Sequence, residues 1–283
     1  MPDGRPNFDI GLVMAGAISA GAYTAGVMDF LIQALDSWQR AKEDGRADVP
    51  AHNVTIKVMA GASAGAITAA IATAIATAAF GGDITPVTER RPGSIGNTLY
   101  ESWVRRIDIA ELLGGRDLAE SSAPVRSALD ASELDAIAQK AIEIAPTGRG
   151  RAYIADPLHV ILSVANLRGV PYAIRSGARQ AFEYEMSAHA DHVAFTASGN
   201  GRSVPGAFAL DWLDYRNPNW PLLREAALAS GAFPMGLKPR LLHRPAGDYD
   251  LRTWDVPFAP DPAAVAKAIE ARGFSTRVVG LGR

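Results

Sequence analysis

Val54-Thr55-Ile56-Lys57-Val58-Met59-Ala60-Gly61-Ala62-Ser63-Ala64-Gly65 is the stretch on which the reading of this chain turns. Val54 to Met59 alternates and is rich in β-branched residues, which predicts a strand. From about Ala64 to Ala79 the composition predicts a helix. Gly61-Ala62-Ser63-Ala64-Gly65 lies between them and has the pattern G-x-S-x-G. A serine at so sharp a strand-to-helix turn sits in strained backbone geometry. Its neighbours two residues away on either side must be small, so that strand and helix can approach. The free N–H groups and positive dipole end of the helix then point at the serine. The bland alternative is a serine in an ordinary tight turn, and the strand-before, helix-after context speaks against it.

The same plan precedes this unit. Phe8 to Met14 reads as a short buried strand, and Ala15 to Gly21 as a loop of small residues. A helix is expected from about Ala22 to Arg40, with Val27, Phe30, Leu31, Ala34, Leu35 and Trp38 at helical spacing. Polar residues from Lys42 to Pro50 close the unit. Two strand–loop–helix units in succession predict a parallel α/β sheet.

Further along, Gly81 to Gly96 reads as a loop and Leu99 to Leu113 as one helix. Glu120 to Ser122 could cap a short helix from Pro124. Ser132 is the expected N-cap of a helix reaching about Ile144. His159 to Ala165 is a candidate central strand. Tyr172 to Arg175 and Gln180 to Met186 are expected to pair as a hairpin. Asp191 to Gly206 reads as loop, and Pro221 to Ala229 as a helix broken at Ser230-Gly231. There is no internal repeat, low-complexity tract or domain linker.

Composition narrows the function classes. The chain has 283 residues, enough to bury a sizeable core. Its 28 basic and 30 acidic residues nearly cancel, which disfavours nucleic acid as a partner. Cysteine is absent. That excludes disulfides, thiolate-ligated metals and a cysteine nucleophile. No charge occurs between Val58 and Gly82, a length that could cross a bilayer. The run is mostly Ala, Thr and Gly, so a buried core helix is the expected reading. The polar start has no apolar h-region, so no signal peptide is expected.

The first loop has two possible uses. A dinucleotide site would need G-x-G-x-x-G and an acidic residue ending the second strand. Gly16 and Gly21 are present, but Ile18 occupies the middle position and the strand ends in Met59-Ala60-Gly61. No Gly-Lys-Ser/Thr of a P-loop occurs. The other use is an oxyanion hole, in which backbone N–H groups hold the charge of a tetrahedral acyl intermediate. Two adjacent parallel strands would bring that loop and Ser63 to the same sheet edge.

These residues resemble the start of the patatin-like phospholipases. The resemblance is carried by Val13 to Val27 followed by Gly61-Ala62-Ser63-Ala64-Gly65. Val164 to Tyr172 and Ala226-Ala227-Leu228-Ala229-Ser230-Gly231-Ala232-Phe233-Pro234 add to it. It implies a three-layer α/β fold, mostly parallel, with helices on both faces of the sheet. It also implies hydrolysis of lipid acyl esters by a Ser–Asp dyad. Ser63 would be the nucleophile, Gly61 and Gly65 the glycines of its elbow, and Gly16, Ala17 and Ala64 the oxyanion donors. A phospholipid or other acyl-ester lipid is the implied substrate. No metal or organic cofactor is implied. The protein is expected to be cytoplasmic, with membrane contact at most peripheral.

The chain departs from the family in two places. Ala15, Ala17 and Ile18 stand where glycines are usual, and Ala20 where a basic residue is usual. No Asp-Gly pair follows Pro234, although the family keeps its aspartate in such a motif. One domain over residues 8–283 is therefore expected, incomplete at its C-terminal end and stopping before the motif. A silent fragment that binds lipid or protein is the alternative. Asp248 is the candidate base, ahead of Asp250 and Asp255, and the bland reading of all three is loop solvation. A triad of Ser63, Asp211 or Asp214, and His243 would fit an α/β-hydrolase order, but that fold has more strands before its elbow. His189 and His192 lack a third metal ligand. Trp212, Tyr215, Trp220 and Trp254 could form a lip for lipid, and core packing is the plainer reading.

Overall fold

Two parallel βα units open the chain in the computed structural model. It describes residues 5–17, 21–77, 97–119, 125–142, 150–176, 182–214, 216–249 and 279–280. Strand β1 is Asn7–Met14, helix α1 Gly21–Glu43, strand β2 Asn53–Ala62 and helix α2 Ala64–Thr77. Each element falls within a few residues of its predicted place, but β1, expected to be buried, buries only Met14, and Val27 and Phe30 of α1 are exposed. The family-typical α/β reading is borne out by a five-stranded mixed sheet of order β1-β2-β3-β4-β5. Strand β3 is Ile154–Ser176, β4 Phe182–Ser198 and β5 Phe208–Asp211. β1–β2, β2–β3 and β4–β5 are parallel, and only β3–β4 is antiparallel.

Side-chain alternation decides which face of the sheet is covered. Leu158, Val160 and Leu162 of β3 are buried beside Ile56 and Met59 of β2 and Val193 and Phe195 of β4. α2 packs on this sheet, with α1 and with α7, Asn219–Gly231, against it. On the other side of the strands, Val13 and Ile161 are exposed.

α2 explains the uncharged run. Every residue from Ala64 to Thr77 except Ile67 is buried. Thr73 and Thr77 donate their hydroxyls to the carbonyls of Ala69 and Thr73, at 2.8 and 2.7 Å. Those bonds satisfy polar groups that burial would otherwise penalise. No described helix is long and apolar enough to cross a membrane.

Several expectations are corrected. Leu99–Leu113 is not one helix. It is α3, Thr98–Tyr100, then a π-helical turn over Glu101–Arg105, then α4, Ile109–Leu112. The Arg106 N–H reaches back to the Glu101 carbonyl, and Asp108 caps α4 through the Ala110 N–H. After α5, Arg116–Ala119, the described residues 125–131 hold no helix, so none runs on from Pro124. Ala128 and Leu129 instead donate to the carbonyls of Met235 and Gly236. Helix α6, Ser132–Ile142, starts at Ser132, and the buried Asp130 carboxylate accepts its N–H. Asp191 to Ser198 is strand, the core-side end of β4.

The hairpin pairing is borne out, with Tyr172 opposite Met186 and Arg175 opposite Glu183. It is the outer half of β3 and β4, beyond an irregularity between Ala165 and Val170. There the Asn166 side chain accepts the N–H groups of Arg168 and Gly169. α7 runs on through Ser230 to Gly231 rather than breaking there. Trp212 and Trp220 are buried in the core, while Tyr215 and Trp254 lie outside the described residues. The expected loop at Gly81–Gly96, as well as Asp250 and Asp255, also lies outside them. A two-residue strand β6, Leu241–Leu242, pairs with β7, Val279–Gly280.

Candidate active site

Ser63 stands between β2 and α2 with a φ of 52°. A non-glycine residue in the left-handed region is uncommon and strained, and it persists only where its surroundings enforce it. The two flanking glycines are part of that enforcement. A Cβ on Gly61 would overlap the backbone of Gly65 and Ala66. A Cβ on Gly65 would overlap the carbonyls of Met14 and Ala15 at the end of β1. The pattern therefore fits a close crossing of β1, β2 and α2, in which no side chain can stand at either glycine.

The first loop meets the elbow at Gly16. A Cβ there would lie 3.1 Å from the Ser63 Cβ and 3.4 Å from the Ala62 carbonyl oxygen. Gly16 thus lies against the serine, just past the carboxyl end of β1, the parallel neighbour of β2. Ala64 is the first residue of α2, where N–H groups have no partner one turn back. The Ser63 carbonyl accepts from Ala66 and Ile67 and so begins the helix. Ile18 to Ala20 lie outside the described residues.

The Ser63 N–H is also held. It donates to the Ser230 hydroxyl at 2.7 Å, and that hydroxyl donates to the Ser163 carbonyl on β3 at 2.5 Å. This contact is hard to read from the sequence. Its one clue was the run of small residues around Ser230. A Cβ on Gly231 would lie 3.1 Å from Ile67 on α2, so a small residue there lets α7 approach the elbow.

Asp248 lies in a different setting. It ends a 3-10 turn, Ala246–Asp248, and its carboxylate pairs with Arg244. Arg244 also meets Asp191 at 3.2 Å and donates to the His192 carbonyl at 3.0 Å. Tyr249 donates to Asp191 at 2.8 Å and lies beneath the Arg244 guanidinium. All four residues are buried or nearly so. Burial pushes the Asp248 carboxyl above its ordinary pKa, against the pull of Arg244. Burial likewise raises the Tyr249 phenol. Arg244 and Asp191 went unnoticed in the sequence because their pairing spans distant segments.

The other candidates are placed as follows. The Asp211 carboxylate accepts the Leu213 N–H and the Asp214 carboxylate the Arg216 N–H, both within turns. His189 meets the Asn166 carbonyl through Nδ1. Among the described residues, no three or more His, Asp or Glu side chains are grouped so as to hold a metal ion.

An apolar cavity lies one helical turn from Ser63. Ile67, Ala70 and Ile71 of α2 form one wall, Trp103 of the π-helical turn and Ile137 and Ala138 of α6 another. Ala227 and Leu228 of α7 close it. Part of the space between these walls is open to solvent.

The chain is similar to known proteins. The family described as patatin-like phospholipase matches residues 12–250 of the chain. The uncharacterized protein y4iI of Sinorhizobium fredii is 42% identical over an alignment covering 88% of this chain. That alignment takes in 39% of the relative, so the chain spans well under half of its length. Among solved structures no significant match is found.

Proposed function

The chain belongs to the patatin-like phospholipase family, and on that premise we propose that it is a serine-type lipid acyl hydrolase with Ser63 as nucleophile. One observation carries the reading. Ser63 holds a φ of 52° at the β2–α2 turn, with the Gly16 backbone against it. That is the arrangement a nucleophile elbow beside an oxyanion hole requires.

The reaction follows from these parts. Ser63 Oγ attacks the ester carbonyl carbon while a carboxylate takes its proton. The carbonyl oxygen becomes an oxyanion and is held by N–H groups of Gly16, Ala17 and Ala64. The intermediate collapses, and the alcohol leaves with the proton. Water then attacks the acyl-serine by the same route in reverse and frees the acid. Asp248 is the candidate for the carboxylate. Its raised proton affinity suits a base, and its pairing with Arg244 opposes the role. The apolar cavity beside Ile67 suits the hydrocarbon tail of a lipid ester.

A second reading is supported by that pairing. With Asp248 committed to Arg244, the chain would bind an acyl lipid without turning it over. Labelling with a fluorophosphonate, with Ser63→Ala as control, separates the two. A single adduct on Ser63 is expected from the hydrolase. A folded chain that stays unlabelled would leave binding alone.

A further inference from the structure

The bond between Ser63 and Ser230 does more than join two helices. β2 ends its ladder with β3 at the pair Ala62–Ser163. At Ser63 the chain turns into the left-handed region, and its N–H leaves the path of the strand. In a continuing ladder that N–H would seek a β3 carbonyl. Here one hydroxyl spans the gap. Ser230 Oγ accepts from the Ser63 N–H at 2.7 Å and donates to the Ser163 carbonyl at 2.5 Å. It does what a bridging water does elsewhere, but it is fixed to α7 by covalent bonds. Only a group that both accepts and donates can do this, and a hydroxyl is the smallest such side chain.

We propose that Ser230 is a positioning residue, which sets the attack geometry of Ser63 by clamping its N–H to β3. The proposal rests on the reading of Ser63 as the nucleophile. The packing supports it. Ser230 lies at the end of α7, where a Cβ on Gly231 beside it would crowd Ile67, one turn along the helix that Ser63 starts. The buried face of α7, with Leu223, Ala226 and Ala227, anchors the hydroxyl in the core. Rotation of Ser63 about its own backbone is thereby opposed from three elements, β2, β3 and α7. Loss of the hydroxyl would free the strained turn without removing any atom that touches substrate.

The test compares Ser230→Thr with Ser230→Val, which match in size and differ in the hydroxyl, and adds Ser230→Ala. Two readouts are taken on the full chain. One is exchange of the Ser63 backbone amide, followed by NMR. The other is the rate of fluorophosphonate labelling at Ser63. In the Val and Ala variants, amide exchange should rise and labelling should fall, each by about tenfold, as expected for one lost hydrogen bond. The Thr variant should keep both near the parent values. Equal behaviour of Thr and Val, or unchanged amide protection in Ala, would overturn the proposal. If the parent chain does not label at all, the nucleophile reading fails, and the amide comparison still decides whether the clamp exists.

Discussion

The Cβ that Gly16 lacks would stand 3.1 Å from the Cβ of Ser63. The two residues come from different βα units and meet because β1 and β2 are parallel neighbours, with Met14 opposite Gly61. A loop that stabilises an oxyanion must come this near to the nucleophile, and a side chain at Gly16 would crowd the serine.

Gly16→Ala is therefore expected to slow the reaction of Ser63 more than it affects folding. The new methyl meets the Ser63 Cβ and the Ala62 carbonyl, so the loop must retreat by a few tenths of an ångström. That moves its N–H groups away from the reacting carbonyl. The labelling rate should fall by about tenfold or more, with a melting temperature near the parent value. An unchanged rate would dissociate the loop from the chemistry.

The strain at Ser63 predicts a difference between two variants at that position. At a φ of 52°, alanine carries the full penalty of the left-handed region and glycine carries almost none. Ser63→Gly should be more stable than Ser63→Ala by about 1 kcal/mol in urea unfolding. Equal stability would mean that the turn relaxes once the hydroxyl is gone.

Asp130 gives a prediction with a pH sign. Its buried carboxylate accepts N–H groups of Arg116 at 2.9 Å and Ser132 at 2.8 Å, the first residues of α5 and α6. Bonding from the Ser132 side chain, ahead of the backbone donors, holds it below the ordinary carboxylate pKa. A depressed folded pKa contributes stability above the unfolded value of about 3.9 and loses it as the pH falls through the folded one. Asp130→Asn should cost about 2 kcal/mol near neutral pH. The gap between variant and parent should close in acid, and a gap constant with pH would exclude the ionised carboxylate as its source.

Much of this fold is legible in the sequence because its first half is local. The alternation and β-branched residues of Val54–Met59 mark a strand, and the crossing at Gly61 and Gly65 demands small residues at fixed spacing. The errors fall where distant partners decide. Asp191 and Ser198 look like loop residues, yet both belong to a strand. Arg244, fifty-three positions from Asp191 along the chain, neutralises that carboxylate. Ser198 finds its partners in the turn at Asn200 and Arg202. Ser230 is a small residue near a helix end until Ser63 is placed beside it. The single helix expected over Leu99–Leu113 fails because Asp108 caps a new one and ends the periodicity.

Asp248→Asn tests the base. If Asp248 takes the Ser63 proton, labelling should fall by about a hundredfold. Stability should move the other way. Burial has raised this carboxyl, so the folded chain binds its proton more tightly than the unfolded one. The penalty of the charge is then in force at neutral pH and relieved in acid. The neutral amide should hold or raise the melting temperature at neutral pH. A parent-like labelling rate would assign Asp248 to the Arg244 cluster alone.

The cavity predicts which esters are taken. Ala138 lies on its α6 wall and is only half-buried, so a larger side chain can enter the space without distorting the core. Ala138→Phe should fill the region that a long acyl tail would occupy. Each methylene kept out of an apolar site forfeits about 0.8 kcal/mol. Hydrolysis of a dodecanoyl ester should therefore fall by about tenfold or more, and that of a butyryl ester should hardly change. The comparison is of kcat/KM for the two esters in parent and variant. Ser63 itself is untouched, so labelling by a short-chain fluorophosphonate should proceed at the parent rate. Equal losses on both esters would point to damage at the elbow, transmitted along α2. No loss on either would place the acyl tail outside this cavity.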